Sequence, residues 1–252
     1  MVKINNKLGK EIAIIAALYS VYTLSRNLSD VSERIAFLHA KSVLKVEDFL
    51  HIDIEHAIHT FFRDKTYIYI FGNYFYGSLH FIATLFCLFY VFFKNQERYN
   101  QVRNTIVCST LLALVCFISY PLMPPRLLPK SYGFLDTLSK YPTFWSFNSK
   151  GFAAISNQFA AMPSVHIIWA SWCVYALYPR MNSKLKKMFL FLYPLTTTFV
   201  IIVTSNHYIL DALGALLVLG IGYLLSRMIT SLTTRSAIDK TESVAEINAK
   251  LL

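Results

Sequence analysis

Two short runs carry the residues best equipped for chemistry, Met162-Pro163-Ser164-Val165-His166 and Asn206-His207-Tyr208-Ile209-Leu210-Asp211, and each opens an apolar stretch. Imidazoles and a carboxylate at the mouths of hydrophobic helices are costly to place, so they mark a pathway or a reaction centre. His207 and Asp211 are four residues apart and share one face of a helix. A carboxylate there accepts the hydrogen bond of one imidazole nitrogen, fixes the tautomer and makes the other nitrogen a better nucleophile. His166 and Ser164 fall in the first turn of their helix, where free amides and the positive end of the helix favour a phosphate. Arg126, in the run Met123-Pro124-Pro125-Arg126-Leu127-Leu128-Pro129, adds a bidentate contact to the same anion. This is equipment for phosphoryl transfer without a metal or cofactor: His207 attacks phosphorus in line, His166 protonates the departing oxygen, and Asp211 stabilises the imidazolium. Ser164 has a second reading, because serines also cap helices.

The elements that must position these residues are membrane helices. The 252-residue chain is 55% hydrophobic and only 15% charged, where soluble domains carry roughly 25%. Apolar spans consume the length, so a single membrane domain over residues 1–252 is expected. The net charge of +10 sits in short clusters between spans, which argues for membrane orientation and against nucleic acid. Cys87, Cys108, Cys116 and Cys173 fall inside apolar spans without zinc or disulfide spacing.

Six transmembrane helices are predicted, in an all-α polytopic fold. The first follows Lys3, Lys7 and Lys10 over Ile12 to about Leu28, read as uncleaved. The others run from about Tyr67 to Phe93, Thr105 to Leu122, Pro163 to Tyr178, Met188 to Thr204, and Asn206 to Met228, followed by a polar tail over 229–252. Pro163 suits the first turn of its helix, and Asn206 suits a cap. Between the first two spans, Val46, Phe49, Leu50, Ile54, Ile58, Phe61 and Phe62 recur at helical spacing, predicting an amphipathic helix on the membrane. His51, Glu55 and His59 are spaced as one face of it; a metal site is conceivable there, but a polar solvated face is the favoured reading, and no metal is assigned. Basic loops at Lys94, Arg98 and Arg103 and at Arg180, Lys184, Lys186 and Lys187 are cytoplasmic by the positive-inside tendency. Both termini are then cytoplasmic, in a cell-membrane protein whose Arg126, His166, His207 and Asp211 share one depth on the outer face. The segment to about Ala161 reads as a long outer loop, with Trp145 at the interface.

Asn73, Tyr74, His80 and Asn206 are candidates for substrate contact. His80 also suits a hydrogen bond between helices, and Phe75, Tyr76 and Trp169 suit either a lipid pocket or packing.

The motifs Pro163-Ser164-x-His166 and, forty-one residues beyond His166, His207-x-x-x-Asp211 resemble the type 2 phosphatidic acid phosphatase superfamily. With Met123 to Pro129, Ala160 to His166 and Asn206-His207-Tyr208, the chain is similar to the branch of inositol phosphorylceramide synthases, inositolphosphotransferase-like, and their bacterial relatives. The resemblance spans residues 67–228 and implies a six-helix core, a nucleophile at His207, a second catalytic histidine at His166 and an orienting Asp211. Ser119 stands where the family's first motif has Lys, and Ile201 where its third has Arg. Fewer cations favour a phosphodiester, which carries one negative charge rather than about two. The resemblance thus implies a lipid phosphotransferase acting through a phosphohistidine. The alternatives are a lipid phosphate or pyrophosphate phosphatase and, in another class, a catalytically silent lipid-binding scaffold or transporter.

Overall fold

The computed structural model describes residues 9–18, 20–21, 32–143 and 158–250, with side chains in the last helix described to residue 233. The described residues are all-helical, with one isolated parallel bridge between Leu122 and Ala160. After an amino-terminal helical segment (residues 9–18) come α1 (Glu33–Leu50), α2 (Glu55–Phe61), α3 (Thr66–Lys94), α4 (Gln96–Ser119), the single turn α5 (Thr137–Lys140), α6 (Val165–Leu177), α7 (Lys184–Val203) and α8 (Ile209–Lys250).

Four helices are long and apolar enough to cross a membrane: α3, α4, α7 and the Ile209–Thr233 part of α8. Their outward faces carry Phe81, Phe86, Phe93, Leu195, Leu217 and Leu224, all exposed, as expected of surfaces that meet lipid. The expected first span falls partly outside the described residues, as do Trp145 and Gly151 of the outer loop. The expected fourth span is α6, of 13 residues, which rises about 20 Å against a hydrocarbon thickness of about 30 Å. It is apolar on every side, and α3, α4, α7 and α8 enclose it. Ile167, Ile168, Ala170, Trp172 and Cys173 are buried accordingly, and Trp172 Nε1–H donates to the Val102 carbonyl at 2.8 Å. The tail expected after the last span continues α8 as helix to Lys250.

Small and hydroxyl residues let α4 and α8 approach closely. Gln101 and Thr105 both bond Ser226, and Asn104 bonds Thr230. A Cβ on Gly222 would lie 2.8 Å from the Ser109 amide nitrogen and 2.9 Å from its Cα, whereas Gly220 faces open space. Gly222→Ala is therefore expected to destabilise the protein by about 1–3 kcal/mol through overpacking. Gly220→Ala supplies the control, and thermal unfolding in detergent compares the two.

The segment before α3 keeps its expected apolar stripe outward, with Val46, Phe49, Leu50, Ile54 and Phe61 exposed, but its polar face does not meet solvent. Ala36, Ala40, Val43 and Glu47 of α1 are buried, while Phe49 is 79% exposed. In α2, Glu55 and His59 are 2% and 0% exposed, so the polar face predicted to be solvated is the inward one. The physical reason is the partners inside: Glu55 takes the Ile209 amide, and His59 bonds the Val203 carbonyl and the Ser205 hydroxyl. His51 lies apart, exposed in the left-handed turn that ends α1, and among the described residues no three His, Cys, Asp or Glu side chains are arranged to hold a metal ion.

Candidate active site

Backbone bonds bring the separated motifs together at one end of α6. The Arg126 amide donates to the Ser205 carbonyl at 2.8 Å, and the Ser164 amide donates to the Asp211 carbonyl at 3.1 Å. Leu122 N–H donates to Phe159 O at 2.7 Å, and Tyr208 Oη–H donates to Met123 O at 2.9 Å. The runs ending in Arg126, His166 and Asp211 are thereby fixed against one another.

The turn that presents His207 is held from two sides. Ser205 has a φ of +56°, a left-handed conformation uncommon for a residue with a Cβ. His59 of α2 stabilises it: its Nδ1–H lies 3.1 Å from Val203 O and 2.9 Å from Ser205 Oγ. Its Nε2 accepts from the Leu135 amide at 3.1 Å. With one nitrogen donating and the other accepting, His59 is neutral, and burial holds its pKa below the usual imidazole range. Behind this turn the Asn206 and His207 amides both donate to the Ile201 carbonyl, at 3.0 and 3.2 Å.

His207 Nδ1–H donates to Asp211 Oδ2 at 3.1 Å, and the same oxygen accepts from the Tyr208 amide at 2.9 Å. His207 Nε2 is buried and, among the described residues, has no hydrogen-bond partner. The His166 ring stands edge to face with it, centroids 5.8 Å apart, a separation that one phosphoryl group spans. Tyr76 stacks on His166 at 4.0 Å and lies 6.2 Å from His207. His80 approaches His166 to 4.3 Å, and its own Nδ1 is buried without a partner. Tyr76 belongs to a π-helical turn, Phe75–Leu79, within α3, an irregularity that occurs often at functional sites.

Helix α6 begins at Val165, two residues later than the proline at first-turn position would give. Ser164 stays extended because its amide is engaged by Asp211, and its side chain makes no capping bond. Its hydroxyl is buried and unpartnered. The amides of Val165, His166 and Ile167 precede the helix's first internal bond, from Ile168 N–H to Ser164 O at 3.0 Å, and are the donors that a helix start leaves for an anion. Arg126 is buried, with Nη1 3.3 Å from Asp136 Oδ1 and Nη2 3.4 Å from Gln158 Oε1.

The remaining candidates divide. Asn73 Nδ2 donates to the Thr137 and Tyr141 carbonyls at 2.9 and 3.0 Å, and its oxygen accepts from Thr137 Oγ1 at 3.1 Å; this amide ties α3 to α5. Tyr74 is exposed. Asn206 donates to Thr204 Oγ1 at 2.8 Å and does not cap α8. That helix is capped instead by Glu55 Oε1 on the Ile209 amide, at 2.6 Å, and Glu47 Oε1 on the Leu210 amide, at 2.8 Å. The role of the two glutamates is invisible in the sequence, which gives no sign that α1 and α2 dock behind the last helix. At the family's two cation positions, Ser119 Oγ bonds back to Val115 O at 2.8 Å and Ile201 is fully buried in an apolar cluster.

Among known proteins, neither the curated sequences nor the solved structures yield a match to this chain. A sequence model described as the PAP2 superfamily matches residues 41–225. That range takes in α2 to α7, all three motifs and most of α1 and of the membrane part of α8. The chain is thus a membrane protein with paired histidines at the head of its buried helix, and it belongs to the PAP2 superfamily.

Proposed function

We infer that this protein is a lipid phosphotransferase in which His207 forms a phosphohistidine and an alcohol-bearing lipid receives the phospho-headgroup, as in the inositol phosphorylceramide synthase branch. The observation that carries this reading is the state of the His207 ring: Nδ1 is held by Asp211, and Nε2 is buried, unpartnered and next to His166. In the first step Nε2 attacks phosphorus, the bond to the leaving alkoxide breaks, and His166 gives that oxygen a proton. In the second step His166 takes the proton of the acceptor hydroxyl, whose oxygen attacks phosphorus and frees Nε2. Arg126, Ser164 and the first amides of α6 bind the non-bridging oxygens.

Two features favour a phosphodiester donor. Neither Ser119 nor Ile201 supplies the cation that a doubly charged monoester would favour. We also set the site below the membrane surface, because α6, of 13 residues, is shorter than a membrane is thick; such a depth suits lipids on both sides of the reaction. We place six helices across the membrane, counting the first apolar run and α6. Arg180 Nη2–H bonds the Lys94 carbonyl at 2.6 Å, so the two basic loops lie together at the end of α6 away from His166. By the positive-inside tendency that end is cytoplasmic and the site faces outward.

The test is made on the purified protein in detergent, with a lipid phosphodiester and a lipid phosphomonoester, each with and without an alcohol-bearing lipid. New headgroup lipid and free phosphate are followed together. Acceptor-dependent product from the diester is expected. Phosphate from the monoester without acceptor would replace the transferase with a phosphatase. Activity unaffected by His207→Ala would remove the proposed nucleophile, and no turnover of any lipid phosphoester would favour a silent scaffold.

A further inference from the structure

Behind the site, three carboxyl groups converge on the first turn of α8. The Tyr208 amide is taken by Asp211 Oδ2, the Ile209 amide by Glu55 Oε1 and the Leu210 amide by Glu47 Oε1. With the Asp211 amide on the Tyr208 carbonyl at 3.2 Å, the donors of this helix start are all engaged, so the amino end of α8 is closed to a phosphate and the open one belongs to α6. Glu47 and Glu55 come from α1 and α2, are 0% and 2% exposed, and hold successive amides of the same turn. Glu47 Oε2 and Asp211 Oδ1 are both buried without a hydrogen-bond partner. The groups that face the pair are the Asp211 carboxylate and the Tyr208 phenol, and among the described residues neither glutamate has an ion-pair partner. Three adjacent buried carboxylates repel one another strongly; a shared proton relieves this, as it does for other close carboxyl pairs.

We propose that Glu47 and Glu55 are a proton-sharing carboxyl pair that caps α8 from outside the catalytic core and holds the His207–Asp211 turn in its reactive position. They are positioning residues that reach the nucleophile only through the Ile209 and Leu210 amides, and the proposal rests on His207 being that nucleophile. Glu47 Oε2 carries the proton and donates it toward Glu55, while Oε1 keeps the Leu210 amide. The chemistry of the pair agrees: burial pushes the Glu47 carboxyl up to about 8, against the pull of the Leu210 amide, and burial raises Glu55 as well. Since the folded value lies above the ordinary 4.5, the stabilisation by this proton is complete below pH 4.5 and is lost as pH rises to about 8. Above that pH the pair carries two charges beside Asp211, and the turn loosens.

The experiment is a pH profile of lipid phosphodiester turnover by the full chain in detergent, for wild type, Glu47→Gln, Glu47→Ala and Glu55→Ala. Glutamine keeps the acceptor for Leu210 and a permanent donor toward Glu55. The wild type is expected to show an alkaline fall centred near pH 8, and Glu47→Gln to stay within about 3-fold of wild-type kcat at pH 7 and to lose that fall. Glu47→Ala and Glu55→Ala lower kcat by about 10-fold or more at unchanged KM. An alkaline limb retained in Glu47→Gln, or full activity in both alanine variants, overturns the proposal. Hydrogen exchange at the Ile209 and Leu210 amides provides a readout that does not depend on turnover. Exchange should quicken about 10-fold or more in the alanine variants and stay slow in Glu47→Gln; equal rates in all four proteins overturn the capping role. If the wild type turns over no lipid phosphoester, the functional reading fails while the exchange comparison still decides the cap.

Discussion

Replacing His207 with alanine is expected to lower kcat/KM for lipid phosphoryl transfer by on the order of 10⁴-fold or more, a loss of about 5.5 kcal/mol of transition-state stabilisation. The size follows from what the side chain does. A histidine nucleophile splits one displacement into two, and without it no covalent route remains. The geometry suits such a nucleophile, because the Asp211 bond at 3.1 Å holds the proton on Nδ1 and leaves the Nε2 lone pair free. The fold should survive, because the ring makes a single side-chain bond and Asp211 keeps the Tyr208 amide when it is gone. Rapid quenching with a phosphorus-labelled donor checks the step directly. The wild type should carry an acid-labile, alkali-stable label, and His207→Ala none. A label that persists in the variant would move the nucleophile elsewhere.

His166→Ala separates proton transfer from nucleophilic attack. With an alkoxide leaving group its loss is about 10²–10⁴-fold, the usual contribution of a general acid. With a nitrophenyl phosphodiester, whose leaving oxygen departs without a proton, the first step should fall by only about 10-fold or less. Burst kinetics with the nitrophenyl substrate read that step alone. Equal losses on the two substrates would make His166 a binding residue. The stacking of Tyr76 at 4.0 Å and the nearness of His80 at 4.3 Å fix the plane of the His166 ring, so changes at these two positions belong in the same comparison.

The motif residues were legible in the sequence because their chemistry is local. His207 and Asp211 meet through the repeat of one helix, and the anion-binding character of Ser164 and His166 comes from a helix start. Long apolar runs gave the membrane class and the positions of α3, α4, α7 and α8, since a span declares itself by composition alone. The sequence also suggested that the three motifs share a depth, and the Arg126–Ser205 and Ser164–Asp211 backbone bonds bring them to one end of α6.

What stayed hidden depends on contacts between distant segments. Glu55 and His59 have the spacing of a polar helix face, and spacing cannot say whether such a face meets water or the protein. Only the docking of α1 and α2 against the turn at Ser205 decides it, by giving Glu47, Glu55 and His59 the Leu210, Ile209 and Val203 groups as partners. The same holds for Asn206, a good cap by type, whose amide goes to Thr204 while two glutamates from far earlier in the chain take its place. Asn73, a plausible headgroup contact by its place in an apolar span, is used up on Thr137 and Tyr141. Which residues are equipped for chemistry, and that the chain is a membrane protein, can be read from the sequence, because reactivity and hydrophobicity are properties of residue type and local period. The tertiary structure alone decided which polar groups are free to act, because a buried donor or acceptor is defined by the partner that reaches it.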